Sequence, residues 1–407
     1  MNLRHLSFMP TSVGASVALA CLCTVSAFGS NGPKATAINT SAAANLTEDA
    51  HAAVVQAYWT DDRLSSAKPM PVPRVDPSTV SSSNAKAPSG PAVFGKGAAP
   101  EIVSTDTTDE STEAFPLNQS ADAQSDTTAL PADGGFSYEM PFNNYRTGIN
   151  SQYPYSTMGK LFFTIPAGAS EPAGEYVCSA TAVGNNRIVV TARHCMFDYA
   201  TGTWYSNWVF YPEWKNGKSS KVGGKKGAWY PEWAATWTSS STLSLTTGWD
   251  IGIFVMHDSP GTGCGGDKGK QLGQYTGYLG WVYGYDYGNA QFNAFGYPQA
   301  SPFEGNYLYQ DNGATGIVDP LGTTNVVEIG DPQTGGTSGG PWVIGFDPGS
   351  AKTGAVSNNL INGTNFDSAV NSFVWTNPNQ PLAINGTVFE QNNFYNLYTY
   401  ALSLTCS

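Results

Sequence analysis

The sequence predicts an all-β protein, and three observations carry that expectation. From Gly134 onward the chain of 407 residues is dense in aromatic, glycine and β-branched residues. Its apolar runs there are short, as in Lys160-Leu161-Phe162-Phe163-Thr164-Ile165, Arg187-Ile188-Val189-Val190-Thr191 and Ile251-Gly252-Ile253-Phe254-Val255. Each is closed by Gly, Pro, Asn or Asp, which is how strands are bounded. Many such runs at modest spacing predict a sandwich or barrel.

The N-terminus reads as a leader. Arg4 gives a positive start, an apolar run covers Val13 to Val25, and Val25-Ser26-Ala27 offers small residues for cleavage. The run is too short to span a bilayer, so residues 1–27 are expected to be a signal peptide. Lipid attachment at Cys21 is the alternative. No later segment is apolar for long enough to cross a membrane. A net charge of −12 disfavours nucleic-acid binding, which needs a basic footprint.

Residues 28–133 are rich in Ala, Ser, Thr and Pro, with eight acidic residues and no Lys or Arg between Glu101 and Asp133. Such composition buries little apolar surface and predicts a largely disordered segment. The island Ala57-Tyr58-Trp59-Thr60-Asp61-Asp62-Arg63-Leu64 is either an amphipathic element that docks on the later domain or a lone apolar patch.

Two helices are expected near the end. One carries Phe366, Val370, Phe373 and Val374 on a face, the other Phe394, Leu397, Tyr398, Ala401 and Leu402. Trp204, Trp208, Trp214, Trp229, Trp233 and Trp237 cluster in one region; packing is the common fate of such residues, and a sugar platform the alternative. Without the leader, Cys178, Cys195, Cys264 and Cys406 remain, which allows two disulfides in three connectivities. Zinc fits poorly, since no CxxC pair exists, and no metal or cofactor is expected.

The chemistry-bearing stretch is Gly335-Gly336-Thr337-Ser338-Gly339-Gly340-Pro341. Flanking glycines leave the serine hydroxyl uncovered and let successive N–H groups converge where an oxyanion forms. A serine at neutral pH needs a base. Of four histidines, His5 lies in the leader and His51 in the acidic segment. His257 looks like an exposed strand-end residue, which leaves His194, directly after a strand.

Thr191-Ala192-Arg193-His194-Cys195, with Cys178 upstream, resembles the histidine loop of chymotrypsin-like serine endopeptidases, where Gly or Ala usually stands in place of Arg193. Gly335 to Pro341 resembles their nucleophile loop. Tyr153-Pro154-Tyr155-Ser156-Thr157-Met158-Gly159-Lys160-Leu161-Phe162 and Tyr58-Trp59-Thr60 are similar to secreted microbial members close to glutamyl endopeptidases. The resemblance implies two packed six-stranded antiparallel barrels, residues 134–266 and 267–407, with a triad between them. It implies Asp250 as third member, 56 residues after His194 and opening an apolar strand. Asp198, Asp258 and Asp286 are alternatives. It further implies oxyanion donors at the backbone N–H groups of Gly336 and Ser338, and disulfides Cys178–Cys195 and Cys264–Cys406.

Thr337 replaces the aspartate that pairs with a new N-terminus in trypsin-type members, so activation is expected to consist in removal of the acidic segment. The substrate pocket is expected between Pro332, Gln333, Thr334, Gly335 and Ser357, Asn358, Asn359. Pro332 stands where trypsin-type enzymes place aspartate, and Val356 where glutamyl endopeptidases place histidine, which implies a neutral pocket. The resemblance thus implies a secreted, monomeric endopeptidase acting on proteins or peptides and made with its own propeptide. The alternatives are an inactive homologue that binds proteins or glycans, and an esterase. Asn39, Asn45, Asn118, Asn362 and Asn385 head Asn-x-Ser/Thr sequons.

Overall fold

A computed structural model describes residues 25–27, 34–79, 92–101, 142–147, 150–215, 227–239, 248–258, 270–318, 325–348, 365–376 and 382–404. Twelve strands among them build two barrels. The first comprises β1 (Met158–Ile165), β2 (Gly174–Ala182), β3 (Ile188–Thr191), β4 (Ser206–Pro212), β5 (Pro231–Trp237) and β6 (Gly252–Met256). They pair antiparallel in the order β4-β1-β2-β3-β6-β5. A bridge between Phe210 and Trp229, with N–H···O distances of 2.8 and 2.9 Å, returns the chain before β5 to β4 and closes the ring.

The second comprises β7 (Gln291–Gly296), β8 (Tyr309–Val318), β9 (Val326–Gly330), β10 (Pro341–Ile344), β11 (Phe366–Trp375) and β12 (Ala383–Val388). Its antiparallel order β10-β7-β8-β9-β12-β11 closes directly through β10–β11 pairing. Closure leaves both barrels without free edges where the rings are complete. Their interiors are filled by apolar side chains such as Phe254, Val189 and Phe210 in the first, and Trp342, Phe292 and Ile329 in the second.

One of the two expected C-terminal helices is a strand. Phe366, Val370, Phe373 and Val374 lie in β11, nearly every residue of which is buried. A strand covered on both faces loses the alternation that marks a half-exposed one, and its apolar spacing then imitates a helix. The other helix forms as expected: α2 (Asn396–Leu404) buries Leu397, Tyr398, Ala401 and Leu404 against the first barrel. The tryptophans are packing residues, with Trp208, Trp214, Trp229 and Trp237 buried.

The N-terminal segment departs from its composition. Ala35–Asn39 adds an antiparallel strand to β5, and helix α1 (Glu48–Tyr58) follows. The 57–64 island docks: Trp59 is buried against Phe162 and donates from Nε1 to the Asn207 carbonyl at 2.6 Å. Val93–Gly95 pairs with Gly280–Tyr283 beside the second barrel. Residues 34–79 and 92–101 are therefore built structure, because a few large side chains bury enough surface to offset a polar background.

Among the described residues no helix is long and apolar enough to cross a membrane. Asn385 is fully buried in β12, so this sequon is closed to a glycan, whereas Asn45 is exposed. Asn118 and Asn362 lie outside the described residues.

Candidate active site

Antiparallel pairing decides where the histidine and the aspartate meet. β3 and β6 are neighbours, with Thr191 opposite Gly252, so the loop leaving β3 lies beside the loop entering β6. The first loop is a 3₁₀ turn, Arg193–Cys195, and the second ends in Asp250. The expected Cys178–Cys195 disulfide ties that turn back to β2. Cys264 and Cys406 lie outside the described residues.

His194 Nδ1 stands 2.8 Å from Asp250 Oδ2, and the His194 backbone N–H donates to Oδ1 at 3.0 Å. Ser372 Oγ on β11 donates to Oδ2 at 2.6 Å. Burial would push the fully enclosed Asp250 carboxyl up, but the His194 ring, the Arg193 guanidinium and the Ser372 hydroxyl hold it below the ordinary carboxylate range. Arg193 is itself buried, its pKa lowered by that burial and supported by the charge of Asp250. The C-terminal segment steadies the acid from behind. Asn393 Nδ2 donates to the Gly248 carbonyl at 2.7 Å, two residues before Asp250.

The other aspartates are occupied elsewhere. Asp198 accepts from Ser170, Ala200 and Thr201 in a turn, Asp258 pairs with Arg187, and Asp286 caps Gly288. His257 is not an exposed strand-end residue. It is buried, with Nε2 2.8 Å from Glu48 Oε2 of α1. A polar ring at the end of an apolar strand looks exposed until a docked helix covers it.

Ser338 sits in the turn between β9 and β10, held from both barrels. Its carbonyl accepts the Ser179 N–H of β2 at 2.8 Å, and Ser179 Oγ donates to the Gly336 carbonyl at 2.9 Å. Asn371 on β11 donates to the carbonyls of Thr337 and Phe295, and its own carbonyl accepts the Gly339 N–H. Adjacent residues of one strand point to opposite faces, so Asn371 holds the serine loop while Ser372 holds the acid. Gly336 has φ +99°, and a Cβ there would lie 2.7 Å from the Tyr297 carbonyl oxygen. Only glycine fits that turn.

Two buried atoms in this cluster have no hydrogen-bond partner among the described residues: His194 Nε2 and Ser338 Oγ. They make no hydrogen bond to one another, although their loops touch. Cys195 Sγ, next to His194, lies 3.8 Å from the Ser338 carbonyl oxygen. The arrangement offers an imidazole nitrogen with its far side fixed by a carboxylate, and an uncommitted hydroxyl in a glycine-rich turn.

Gly336, expected as an oxyanion donor, donates its N–H to the Met70 carbonyl at 3.0 Å. Of the expected pocket residues, Gln333 turns inward. Its N–H donates to Asp331 Oδ1 at 2.7 Å and its Oε1 accepts from Thr337 Oγ1 at 2.6 Å. Thr334 Oγ1 donates to the Ala300 carbonyl, and Pro332 is half-buried. Gly335 packs against the Met70 carbonyl, and Ser357, Asn358 and Asn359 lie outside the described residues. Asp331 is buried and its carboxyl is pushed up to about 7 by that burial. Asp311 is pushed up to about 10, by burial and then by Asp331. Sequence reasoning missed Asp311 as a neighbour of Asp331, and also Ser179, Asn371 and Ser372, because polar residues on a strand buried on both sides carry no periodic signal.

No family model matches the sequence, and no curated protein does. Three solved structures similar to it are proteases. The crystal structure of protease Anisep from Arthrobacter nicotinovorans aligns over 62% of this chain and 98% of its own, at 25% identity and a TM-score of 0.46. A thermostable serine protease, AL20, from an extremophilic microorganism aligns over 60% and 98%, at 26% identity and a TM-score of 0.45. A Glu endopeptidase aligns over 66% and 99%, at 13% identity and a TM-score of 0.43.

Proposed function

We propose that this chain is a secreted serine endopeptidase that hydrolyses peptide bonds through an acyl-enzyme on Ser338. The observation that carries the reading is the Asp250–His194 hydrogen bond, which leaves Nε2 free in a loop touching that of an equally free Ser338 Oγ. With the proton fixed on Nδ1 by the carboxylate, Nε2 is the basic nitrogen. It takes the Ser338 proton as Oγ attacks the substrate carbonyl, and Asp250 supports the imidazolium that forms. The N–H groups of Gly336 and Ser338 receive the oxyanion. His194 then hands its proton to the departing amine, and water attacks the ester by the reverse route.

Residues 28–133 act as a propeptide in this reading, with 1–27 as signal peptide. The supporting geometry is the Met70 carbonyl on the Gly336 N–H, which occupies a donor that the reaction needs. The test is hydrolysis of a denatured protein by the processed form and by Ser338→Ala. The wild type cleaves and the variant does not; equal cleavage by both would remove Ser338 from the mechanism.

A further inference from the structure

Gln299 has no part in the proton transfer, yet it joins the serine loop, the first barrel and the N-terminal segment. Its backbone N–H donates to the Gly335 carbonyl at 2.7 Å, one peptide before Gly336. Its side-chain Oε1 accepts from Lys160 Nζ at 2.8 Å, and its Nε2 donates to the Ala67 carbonyl at 2.7 Å. Lys160 Nζ meets the amide as a donor, so Lys160 sets which way the amide faces: oxygen inward, NH₂ outward.

Lys160 is a costly way to achieve this. It is only 3% exposed on β1, and its hydrogen-bond acceptors are neutral, Gln299 Oε1 and the Gly305 carbonyl at 3.0 Å. The rings of Phe162 and Trp214 lie 5.2 and 5.3 Å from Nζ. An apolar residue at such a position would serve the barrel better than a cation with neutral partners. What the lysine adds is a side-chain donor held in one orientation on the cleft wall.

The group that this donor meets is a peptide backbone. Lys68 and Pro69 pair with Tyr176 and Val177 of β2, and the Met70 N–H donates to the Val177 carbonyl at 2.9 Å. Farther on, the Val374 N–H donates to the Pro73 carbonyl at 2.9 Å, and Arg74–Val75 pairs with Val374–Trp375 of β11. One extended stretch is thus gripped by both barrels through main-chain groups. Recognition of that kind is indifferent to side chains and suits any extended peptide.

We propose that Gln299, oriented by Lys160, is a substrate-binding residue that receives a backbone carbonyl of an extended peptide, and that the Ala67 carbonyl holds this place in the uncleaved chain. The proposal rests on the peptidase reading. Its ligand class is the unmodified peptide main chain.

The test uses the full-length chain and reads two quantities: hydrogen exchange at the Met70 amide, and the rate at which a small fluorophosphonate labels Ser338. Gln299→Ala removes the donor to Ala67, so both rates rise about fivefold, as expected for one neutral hydrogen bond. Lys160→Met frees the amide to turn and moves both rates the same way. The double variant goes no further than Gln299→Ala alone, because the lysine acts through the glutamine. In the processed form Gln299→Ala raises KM for extended peptides more than it lowers kcat. Wild-type exchange at Met70 in Gln299→Ala, additive effects in the double variant, or an unchanged KM would each overturn the assignment. If Ser338 never labels in any variant, the peptidase reading fails, and Met70 exchange still decides whether Gln299 binds backbone.

Discussion

Replacing Asp250 by asparagine separates electrostatics from shape at the proposed catalytic centre. The carboxylate accepts three hydrogen bonds, from His194 Nδ1, the His194 N–H and Ser372 Oγ, at 2.8, 3.0 and 2.6 Å. An asparagine of the same size keeps its oxygen on the His194 N–H and turns its NH₂ to Nδ1 and to the serine, which accepts as well as it donates. The turn Arg193–Cys195, pinned by the Cys178–Cys195 disulfide, therefore stays in place. The tautomer does not. With Nδ1 accepting, the ring proton moves to Nε2, and the atom facing the substrate cleft loses its basicity. In serine-protease triads that exchange costs about 10⁴-fold in kcat, roughly 5.5 kcal/mol of transition-state stabilisation, and the proposal predicts the same loss for this chain. The assay is steady-state hydrolysis of a chromogenic peptide by the processed form, with a thermal melt as control for folding. A variant that melts like the wild type and retains more than a tenth of its kcat would refute the assignment of Asp250.

Ser372→Ala removes a hydrogen bond to a buried charge, worth about 1.5–3 kcal/mol, so kcat/KM falls about tenfold or more. The Asp250 pKa rises with the loss of that donor, which an NMR titration of the Asp250 carboxyl in the variant should show against wild type. In Gly336→Ala the φ of +99° is strained and the new Cβ would stand 2.7 Å from the Tyr297 carbonyl oxygen, so the proposed oxyanion donor shifts and turnover drops on the order of 10²–10³. Trp59→Ala empties a buried site against Phe162, at about 3–5 kcal/mol. Hydrogen exchange over α1 in the full-length chain should rise by orders of magnitude; unchanged protection would show that Trp59 does not anchor the segment. Burial pushes the carboxyls of Glu328 and Glu390 up to about 7, above their unfolded values. Their contribution is fully present below the ordinary glutamate pKa and is lost as pH rises through about 7. Urea unfolding of Glu328→Gln against wild type should therefore show a stability difference that changes between pH 4 and 8, and a constant difference contradicts the burial account.

The serine and histidine loops were legible because their chemistry demands particular residues at short spacing. The resemblance pointed to Asp250 at the start of an apolar strand, and the structure hydrogen-bonds it to His194. The all-β class followed from short runs and their turn residues, and α2 from a one-sided apolar face. β11 was misread for a physical reason: when both faces of a strand are buried, polar Asp367, Asn371 and Ser372 mix with Phe366 and Phe373, and no period of two survives. Composition hid the docked N-terminal segment, since burial of Trp59 and pairing of Ala35–Asn39 depend on surfaces that only the folded barrel supplies. The same holds for His257, whose partner Glu48 is 209 residues distant in the chain. The burial of Lys160 was not legible, because a lysine within an apolar run reads as a solvent-facing interruption.

The most direct measurement is covalent labelling of the processed protein with a fluorophosphonate, mapped by peptide mass spectrometry and followed by a peptidase assay. Stoichiometric attachment at Ser338, abolished in His194→Ala together with hydrolysis, is the predicted result. A processed, folded protein that cleaves peptides while Ser338 stays unlabelled, or that labels at full rate without His194, would contradict it.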